Sequence, residues 1–244
     1  MIVTFLGTKG GTGTTTLAVN TAADIRRQTG RPTLVVDLKA GCGDVAVFLG
    51  LRPRFTLLDL IDQLPWMDRA LVPRYVAEHE CGLHVLAAAD EFGRPAPKDA
   101  ESIEQTLRCL STIYDFVIVD AGSTLNACTA AGLHQADVVL LVANPDVPCL
   151  RNLQRLTDAV RIAGVVSERL RIVLNRAADH GVLPVAQIEK VLGRTIDFAV
   201  TSDYRTVATA VNTGVPVSGL RPSDLQSQLD ALARTLVSTQ MAAS

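Results

Sequence analysis

The 244-residue sequence predicts an α/β fold with a doubly wound, mainly parallel sheet covered by helices on both sides. Three observations lead to this prediction. Short apolar runs rich in β-branched residues recur along the chain, longer amphipathic stretches separate them, and a glycine-rich segment directly follows the first run. Strands that are apolar on both faces are typical of parallel sheets, and strand–helix alternation favours right-handed crossovers.

The predicted strands are the near-continuous apolar runs. They cover residues 2–6, 34–36, 116–119, 138–142 and 172–174, with 83–87 and 196–200 as two further candidates.

Helical patterns occupy the intervals between these strands. The first predicted helix runs from the glycine-rich segment to Thr29 and ends at Gly30, with Pro32 beyond it. Trp66 and Met67 are expected to seal a helix against the core. The other predicted helices cover 56–64, 68–79, 99–112, 149–163, 184–192 and 204–213.

The end of the chain predicts one more helix, at about 223–241. Leucines at helical spacing give it one apolar face, and its polar face is not basic, so we expect it to pack on the body of a single domain spanning 1–244. Residues 91–97 are the clearest predicted irregular loop. The leucines are Leu225, Leu229, Leu232 and Leu236.

Composition argues against a membrane-spanning or disulfide-rich protein. No run of about 18 uncharged apolar residues occurs, and the first residues lack the features of a signal peptide. A net charge of −2 argues against non-specific adhesion to nucleic acid. The scattered cysteines form no C-x-x-C pair, so we expect reduced thiols in a cytoplasmic protein. These cysteines are Cys42, Cys81, Cys109, Cys128 and Cys149.

The glycine-rich segment, residues 7–16, has the sequence GTKGGTGTTT. Glycines allow backbone N–H groups to turn inward around an anion, and the N-terminus of the following helix adds partial positive charge. Strand, glycine-rich turn and helix in this order favour a phosphate-binding loop over a turn that only caps a helix. The residues expected to bind nucleotide phosphates are Lys9, Gly10, Gly11, Thr12, Gly13, Thr14, Thr15 and Thr16.

Two carboxylates follow predicted strands. Asp37 follows the second strand and Asp120 follows residues 116–119. Ligands of doubly wound sheets lie beyond the carboxyl ends of strands, where a carboxylate can hold Mg²⁺ or its waters. The alternative is that each aspartate caps the next helix. With a phosphate loop nearby, we favour a Mg²⁺ role for Asp120 and also for Asp37, with a hydroxyl supplied by Thr15 or Thr16.

Residues 9–16, KGGTGTTT, resemble the deviant Walker A motif of the MinD/ParA ATPases, whose pattern is K-G-G-x-G-K-T-T. The resemblance implies a P-loop NTPase of the MinD/ParA-like three-layer sandwich type, which binds ATP or ADP with Mg²⁺ as a homodimer. Lys9 falls on the signature lysine that reaches the partner's phosphates, and Thr15 falls on the Mg²⁺ ligand. Lys9 and Asp37 are the candidate catalytic residues.

Two positions depart from the family pattern. Thr14 stands where the family has its second P-loop lysine, and Lys39 stands where it has the aspartate that orients water. Because a charged lysine offers no acceptor atom, slow or absent hydrolysis is expected. One hypothesis is that Lys39 replaces at the phosphates the charge that position 14 lacks; the other is that Lys39 is a solvated lysine on a loop.

Further segments resemble the CpaE/TadZ branch, whose members localise and help assemble Flp/Tad pili. The resemblance spans about residues 2–218, and members usually carry a receiver-like domain ahead of the ATPase domain, whereas this sequence starts at the first strand. The resemblance implies pilus or secretion machinery proteins as partners and recruitment to a cell pole or membrane complex. The segments are 35–39 with 43–46, 57–60 and 79–88.

The strand at 172–174 is followed by Asn175 and Arg176. An amide can pair with the edge of adenine and a guanidinium can stack on its face, so both residues are candidates for binding the base; the alternative for Asn175 is a loop cap. The histidines show no ligand spacing and are expected on the surface or in loops. They are His79, His84, His134 and His180.

A row of arginines begins in the helix at 149–163. It could meet DNA phosphates, but it lacks interleaved aromatic residues and lies in an acidic chain, so a solvated face is favoured. The row is Arg151, Arg155, Arg161, Arg169 and Arg171.

Two classes of function follow. The first is an ATP-gated dimerisation switch that positions pilus machinery with little hydrolysis, and the second is an active ATPase that partitions DNA or cell-division components. A third possibility is a scaffold protein that has lost nucleotide binding.

Overall fold

The computed structural model describes residues 1–39, 43–89, 99–177 and 183–243. The predicted loop at 91–97, Cys42 and His180 lie outside these residues.

Within the described residues, the strands form one eight-stranded sheet in the order β3-β4-β2-β5-β1-β6-β7-β8. All neighbours are parallel except β3 and β4, which confirms the predicted fold class. The strands are β1 (Ile2–Gly7), β2 (Thr33–Asp37), β3 (Ala77–Glu78), β4 (His84–Leu86), β5 (Phe116–Asp120), β6 (Val138–Ala143), β7 (Leu170–Ala177) and β8 (Phe198–Thr201).

Helices cover both faces of this sheet. They are α1 (Thr14–Thr29), α2 (Val45–Phe48), α3 (Leu57–Ile61), α4 (Ala100–Ile113), α5 (Ala127–Gln135), α6 (Val147–Ile162), α7 (Val185–Leu192), α8 (Tyr204–Thr213) and α9 (Asp224–Ala243). Single turns of 3₁₀ helix occur at Leu64–Trp66, Val72–Arg74, Ser167–Arg169 and Val217–Gly219.

The core consists of two layers separated by the sheet. Every residue of β1, β2, β5 and β6 is buried, and alternate side chains enter opposite layers. Leu34 and Val36 pack with α4, α5 and α6, whereas Val35 packs with α1 and α9. Burial on both faces is why these strands have near-continuous apolar sequences.

The C-terminal helix α9 lies against α1. Its four leucines are buried, and Gln28 Nε2 donates a 2.8 Å hydrogen bond to Asp230 Oδ1 beside them. In the part of the chain that the structure describes, no helix combines the length and the apolar character needed to cross a membrane.

Three expectations about helices fail. The helix predicted at 68–79 is absent, and Val72–Arg74 forms only one 3₁₀ turn before β3, because Pro73 lacks an N–H and disfavours helical backbone before it. The helix predicted at 56–64 ends at Ile61. Trp66 does not seal the core, since 76% of its surface is exposed, whereas Met67 does pack against the core.

Candidate functional site

The candidate site lies at the carboxyl edge of the sheet. Asp37 and Asp120 are opposite each other at the ends of β2 and β5, and Gly7 ends β1 next to β5. Residues 8–13 connect β1 to α1 at this edge. The topology therefore brings the glycine-rich segment and both predicted carboxylates together, as expected for parallel strands.

The connection from β1 to α1 presents backbone N–H groups that, from residue 10 onward, have no partner in the described part of the chain. Gly11 and Gly13 have φ values of 81° and 89°, in the left-handed region that glycine favours. Gly13 is also the N-cap of α1, and no side chain caps this helix end. Among the hydrogen bonds of the described residues, none is donated by a backbone N–H between residues 10 and 16. Such a row of free amides is a cradle for a polyanion.

Thr14 points under this loop and away from its open side. Its Oγ1 lies 3.2 Å from Thr12 Oγ1, which donates to Lys9 O at 3.0 Å. A Cβ at Gly7 would lie only 2.3 Å from Thr14 Oγ1, so glycine is required there. Thr14 therefore contributes its backbone to the site, and its side chain carries no charge into it.

Thr15 and Asp120 are in direct contact. Thr15 Oγ1 donates a 2.5 Å hydrogen bond to Asp120 Oδ2, and Gly122 N donates to Asp120 Oδ1 at 3.0 Å. Asp120 is fully buried, and burial raises its pKa. A hydroxyl beside a carboxylate is an oxygen-donor pair that suits Mg²⁺ bound with phosphate, so the two residues fit the predicted metal.

Asp37 is buried behind the segment that follows β2. Its Oδ1 accepts a 3.0 Å hydrogen bond from Lys39 N, and its Oδ2 accepts one of 3.2 Å from Val45 N. Burial, with the charge of Asp120 second, raises the pKa of Asp37 to about 7. The structure thus places this predicted catalytic residue where it holds the backbone at Lys39 and at Val45, next to the open cleft and not on its lining.

Both lysines of the site form ion pairs within the chain. Lys9 Nζ lies 3.3 Å from each carboxylate oxygen of Asp146, whose Oδ1 also caps α6 by accepting from Cys149 N. Lys39 Nζ pairs with Asp44. All four charged side chains are about half exposed, so solvent screens both ion pairs and each contributes little to stability. Each lysine can therefore leave its aspartate for another anion at little cost in free energy.

The glycine-rich segment and both lysines line an open cleft of about 330 Å³, and Asp37 and Asp120 are buried behind this lining. Ser123, Thr124 and Asn126, which the sequence analysis did not single out, form part of its wall after β5. In the sequence, only their position just beyond Asp120 could have indicated that they belong to the site. The predicted residues that line the cleft are Lys9, Gly10, Gly11, Gly13, Thr14, Thr15, Thr16 and Lys39.

A second cavity of about 310 Å³ shares Gly13 and Thr16 with this cleft. Asn175 Nδ2 donates to Thr12 O at 2.8 Å, so this amide also fixes the phosphate loop. Arg176 is exposed at the cavity with a φ of 56°, at an irregularity in the pairing of β7 and β8. Tyr204, 82% exposed, lines the same cavity and was missed by the sequence analysis. An apolar ring beside two polar groups suits a nucleobase.

The predicted row of arginines does not form one surface. Arg151, Arg155 and Arg161 are exposed on α6. Arg169 instead donates to Ala136 O at 3.4 Å, and Arg171 pairs with an aspartate near β8. None of the histidines in the described residues lines the cleft.

The sheet order, with a phosphate-binding loop between its first strand and first helix, defines a P-loop NTPase fold. Solved structures agree. The ParA family ATPase from Chlorobium tepidum TLS matches with a TM-score of 0.86 and 24% identity, over 95% of this chain and 98% of that one. MinD from Pyrococcus horikoshii OT3, complexed with Mg-ADP, matches with a TM-score of 0.82 and 20% identity, over 96% and 95%.

Curated protein sequences that are similar to this chain include MinD proteins as well. MinD of Thermotoga maritima, a septum site-determining protein, is 25% identical over 237 residues, which are 93% of this chain and 84% of that protein. MinD of Helicobacter pylori is 22% identical over 89% of this chain and 83% of that protein. No protein-family model matches the chain. These relatives and structural neighbours are MinD proteins and a ParA family ATPase, to which this chain is similar in sequence and in fold.

Proposed function

We propose that the protein is an ATP-binding, MinD/ParA-like switch that dimerises around its nucleotide, with weak or absent hydrolysis, and acts in the assembly or localisation of Flp/Tad-type pili. ATP binding is carried by one observation at the open cleft: the backbone amides from residue 10 to residue 16 have no partner among the described residues. Phosphates are the ligands that such a row at a helix N-terminus favours.

Thr15 and Asp120 are the residues that would hold Mg²⁺, which supplies positive charge to the β- and γ-phosphates. The connected second cavity would take the base. There, Tyr204 offers a ring for stacking, Asn175 an amide and Arg176 a guanidinium.

The groups around the proposed phosphate position support weak hydrolysis. Lys39 lines the cleft and has no acceptor atom for a water proton. The oxygens of Asp37 are engaged by the backbone N–H groups of Lys39 and Val45. Thr14 adds no cation, because its side chain is an uncharged hydroxyl, which also faces Thr12 under the loop.

Dimerisation across the cleft is supported by apolar side chains exposed near it. Leu125 is 37% exposed between two residues of the cleft wall, and Val147 is 69% exposed next to Asp146. Val47 is 62% exposed on α2, three residues after Asp44. Exposed apolar groups around a polar site are typical of an interaction surface. Lys9, partly exposed between Asp146 and the cleft, is the residue that would reach the partner's phosphates.

The pilus role rests on the resemblance to the CpaE/TadZ branch at 35–39, 43–46, 57–60 and 79–88. We propose that the protein acts in the cytoplasm, recruited to a cell pole or membrane complex by pilus or secretion machinery. Deletion of the gene tests this: loss of surface Flp pili with normal division supports the role, and a division or segregation defect with normal pili contradicts it.

Binding and turnover are tested with the purified protein. Titration of a fluorescent ATP analogue with Mg²⁺ should saturate at one nucleotide per chain, size exclusion with light scattering should show a dimer only with ATP, and phosphate release should be slow. Absence of binding would leave only a nucleotide-free scaffold. Rapid release would favour an active ParA/MinD-type ATPase.

A further inference from the structure

The ion pair between Lys39 and Asp44 spans part of the cleft. Both side chains line it, and both are accessible, with 39% and 58% of their surfaces exposed. The aliphatic part of the Lys39 side chain lies over the turn after β5. This is seen at Gly122, where an added Cβ would lie 3.6 Å from Lys39 Cγ. Lys39 is thus anchored beside the end of β5, while its ammonium group is held at Asp44.

Asp37 keeps these two residues within reach of each other. One of its oxygens accepts from Lys39 N and the other from Val45 N, the residue next to Asp44. A single buried carboxylate therefore fixes the backbone on either side of the ion pair. Asp44 is the N-cap residue of α2, yet its side chain makes no cap hydrogen bond. Its carboxylate pairs with Lys39 and does not cap the helix.

The lining of the cleft is short of positive charge for a polyphosphate. Among the described residues that line it, Lys9 and Lys39 are the cationic side chains, and each is paired with an aspartate. Thr14 is neutral and turned under the loop. A triphosphate carries more negative charge than one carboxylate, so it competes well for a half-exposed ammonium group.

We propose that Asp44 is a latch on Lys39: its carboxylate holds the ammonium group until a polyphosphate enters the cleft, whose oxygens then replace Asp44 and receive from Lys39 the positive charge that Thr14 lacks. This inference rests on the proposed binding of ATP. It makes Asp44 a positioning residue that sets nucleotide affinity, and it distinguishes Lys39 from a merely solvated lysine.

The alternative role for Asp44 is simple repulsion of phosphate through space. The two roles differ in a double-mutant cycle, because a latch acts only through Lys39. Repulsion would persist when Lys39 is gone.

The experiment measures the Kd of a fluorescent ATP analogue with Mg²⁺ for the wild type, Asp44→Asn, Lys39→Ala and the double variant. Asp44→Asn should tighten binding by about 2-fold to 5-fold and Lys39→Ala should weaken it by about 10-fold, which are the sizes expected for breaking one exposed pair and losing one phosphate contact. In the Lys39→Ala background, Asp44→Asn should change Kd by less than about 2-fold.

A second test moves the positive charge from position 39 to position 14 and again measures Kd. Adding Thr14→Lys to Lys39→Ala should recover most of the lost affinity, since a cation is returned to the phosphates from another side. If this variant does not fold, because Thr14 lies against Gly7, the cycle alone decides. Matched controls are Lys190→Ala on α7 and Asp158→Asn on α6, both exposed, and neither should change Kd.

Two results would overturn the latch. One is an unchanged Kd in Lys39→Ala, and the other is equal tightening by Asp44→Asn with and without Lys39. Both leave nucleotide binding by the wild type intact. Absence of binding by the wild type would instead overturn the proposed function and the latch together.

Discussion

The hydroxyl of Thr15, in the first turn of α1, donates a 2.5 Å hydrogen bond to the carboxylate of Asp120, at the end of β5. This contact ties the phosphate loop to the centre of the sheet. Burial raises the pKa of Asp120, so its charged form is costly in the absence of a cation. A divalent cation at this position would stabilise the carboxylate and gain both oxygen atoms as ligands.

Asp120→Asn should therefore remove most of the Mg²⁺ dependence of ATP binding. We expect Mg²⁺ to tighten binding to the wild type and to have an effect at least about tenfold smaller in the variant, because an amide oxygen is a far weaker ligand than a carboxylate. Parallel titrations with Mg²⁺ and with EDTA measure this. Asp158→Asn, exposed on α6, is the control. Equal Mg²⁺ dependence in Asp120→Asn and wild type would exclude Asp120 as a ligand.

Asp37 should make the nucleotide-free protein less stable as the pH rises toward neutrality. Its pKa is raised from 3.8 to about 7, first by burial and second by the charge of Asp120. Between these values the folded state binds more protons than the unfolded state, so the free energy of unfolding falls with pH, by at most about 1.4 kcal/mol per unit. Above pH 7 the contribution is constant.

Urea denaturation in EDTA, from about pH 5 to about pH 8, checks this prediction. Asp37→Asn removes the titrating group, and its uncharged amide resembles the protonated carboxyl that accepts from the backbone at Lys39 and Val45. The decline of its free energy of unfolding with pH should therefore be shallower than that of the wild type. Parallel profiles for the two proteins would show that Asp37 does not titrate in this range.

The central strands and the phosphate loop could be predicted because each is encoded locally. The run of residues in β5 is apolar throughout, and its burial on both faces explains why periodicity sufficed. The position of Asp120 followed from the rule that the carboxyl ends of parallel strands share one edge. Helix α5 was missed for the opposite reason. Its small residues, including the buried Ala131 and Gly132, are covered by α4 and β1, so no polar stripe marks it.

Side-chain partners distant in sequence could not be predicted. Lys9 meets Asp146 across 137 positions, and the contact exists only because β1 and β6 are neighbours in the sheet. Tyr204 reaches the second cavity through the pairing of β7 with β8, which a single sequence does not reveal. Lys39 and Asp44 are close in sequence, but their pairing depends on how Asp37 holds the backbone N–H groups of Lys39 and Val45.

Lys9→Ala should abolish ATP-dependent dimerisation. The proposed role of Lys9 is to contact the partner's phosphates, and this requires it to leave Asp146. Asp146→Asn should keep the cap of α6, because Asn caps helices as well as Asp does, and should shift the dimer equilibrium upward by up to about fivefold, since the exposed ion pair that holds Lys9 is lost. Light scattering across a protein concentration series with ATP measures both effects. A normal ATP-dependent dimer of Lys9→Ala would refute the cross-subunit role.

Tyr204→Ala should weaken binding of ATP by about tenfold, while Tyr204→Phe should not. The ring is exposed at the second cavity, and base stacking on an aromatic ring contributes about 1–3 kcal/mol. Because Tyr204 lies at the start of α8 and its ring is largely free of the core, neither change should alter the melting temperature. The contribution of base binding is separated from that of phosphate binding by measuring how well ATP and inorganic triphosphate each displace a fluorescent ATP analogue. A loss that is equal for both competitors would place the base elsewhere.

Gly13→Ala should destabilise the fold more than its backbone conformation alone explains. Gly13 has a φ of 89°, and a Cβ there would lie 2.2 Å from Asn175 Nδ2, which donates to Thr12 O at 2.8 Å. Gly193 is the matched control, because its φ is 64° and nothing lies within 4 Å of a Cβ there.

In urea denaturation, Gly193→Ala should cost about 1 kcal/mol for the left-handed backbone, and Gly13→Ala should cost about 1–2 kcal/mol more as the hydrogen bond of Asn175 is displaced. Combining Gly13→Ala with Asn175→Ala should cost less than the sum of the single changes, since the clash and the lost hydrogen bond are one event. Equal losses for Gly13→Ala and Gly193→Ala would mean that Asn175 yields freely and does not brace the phosphate loop.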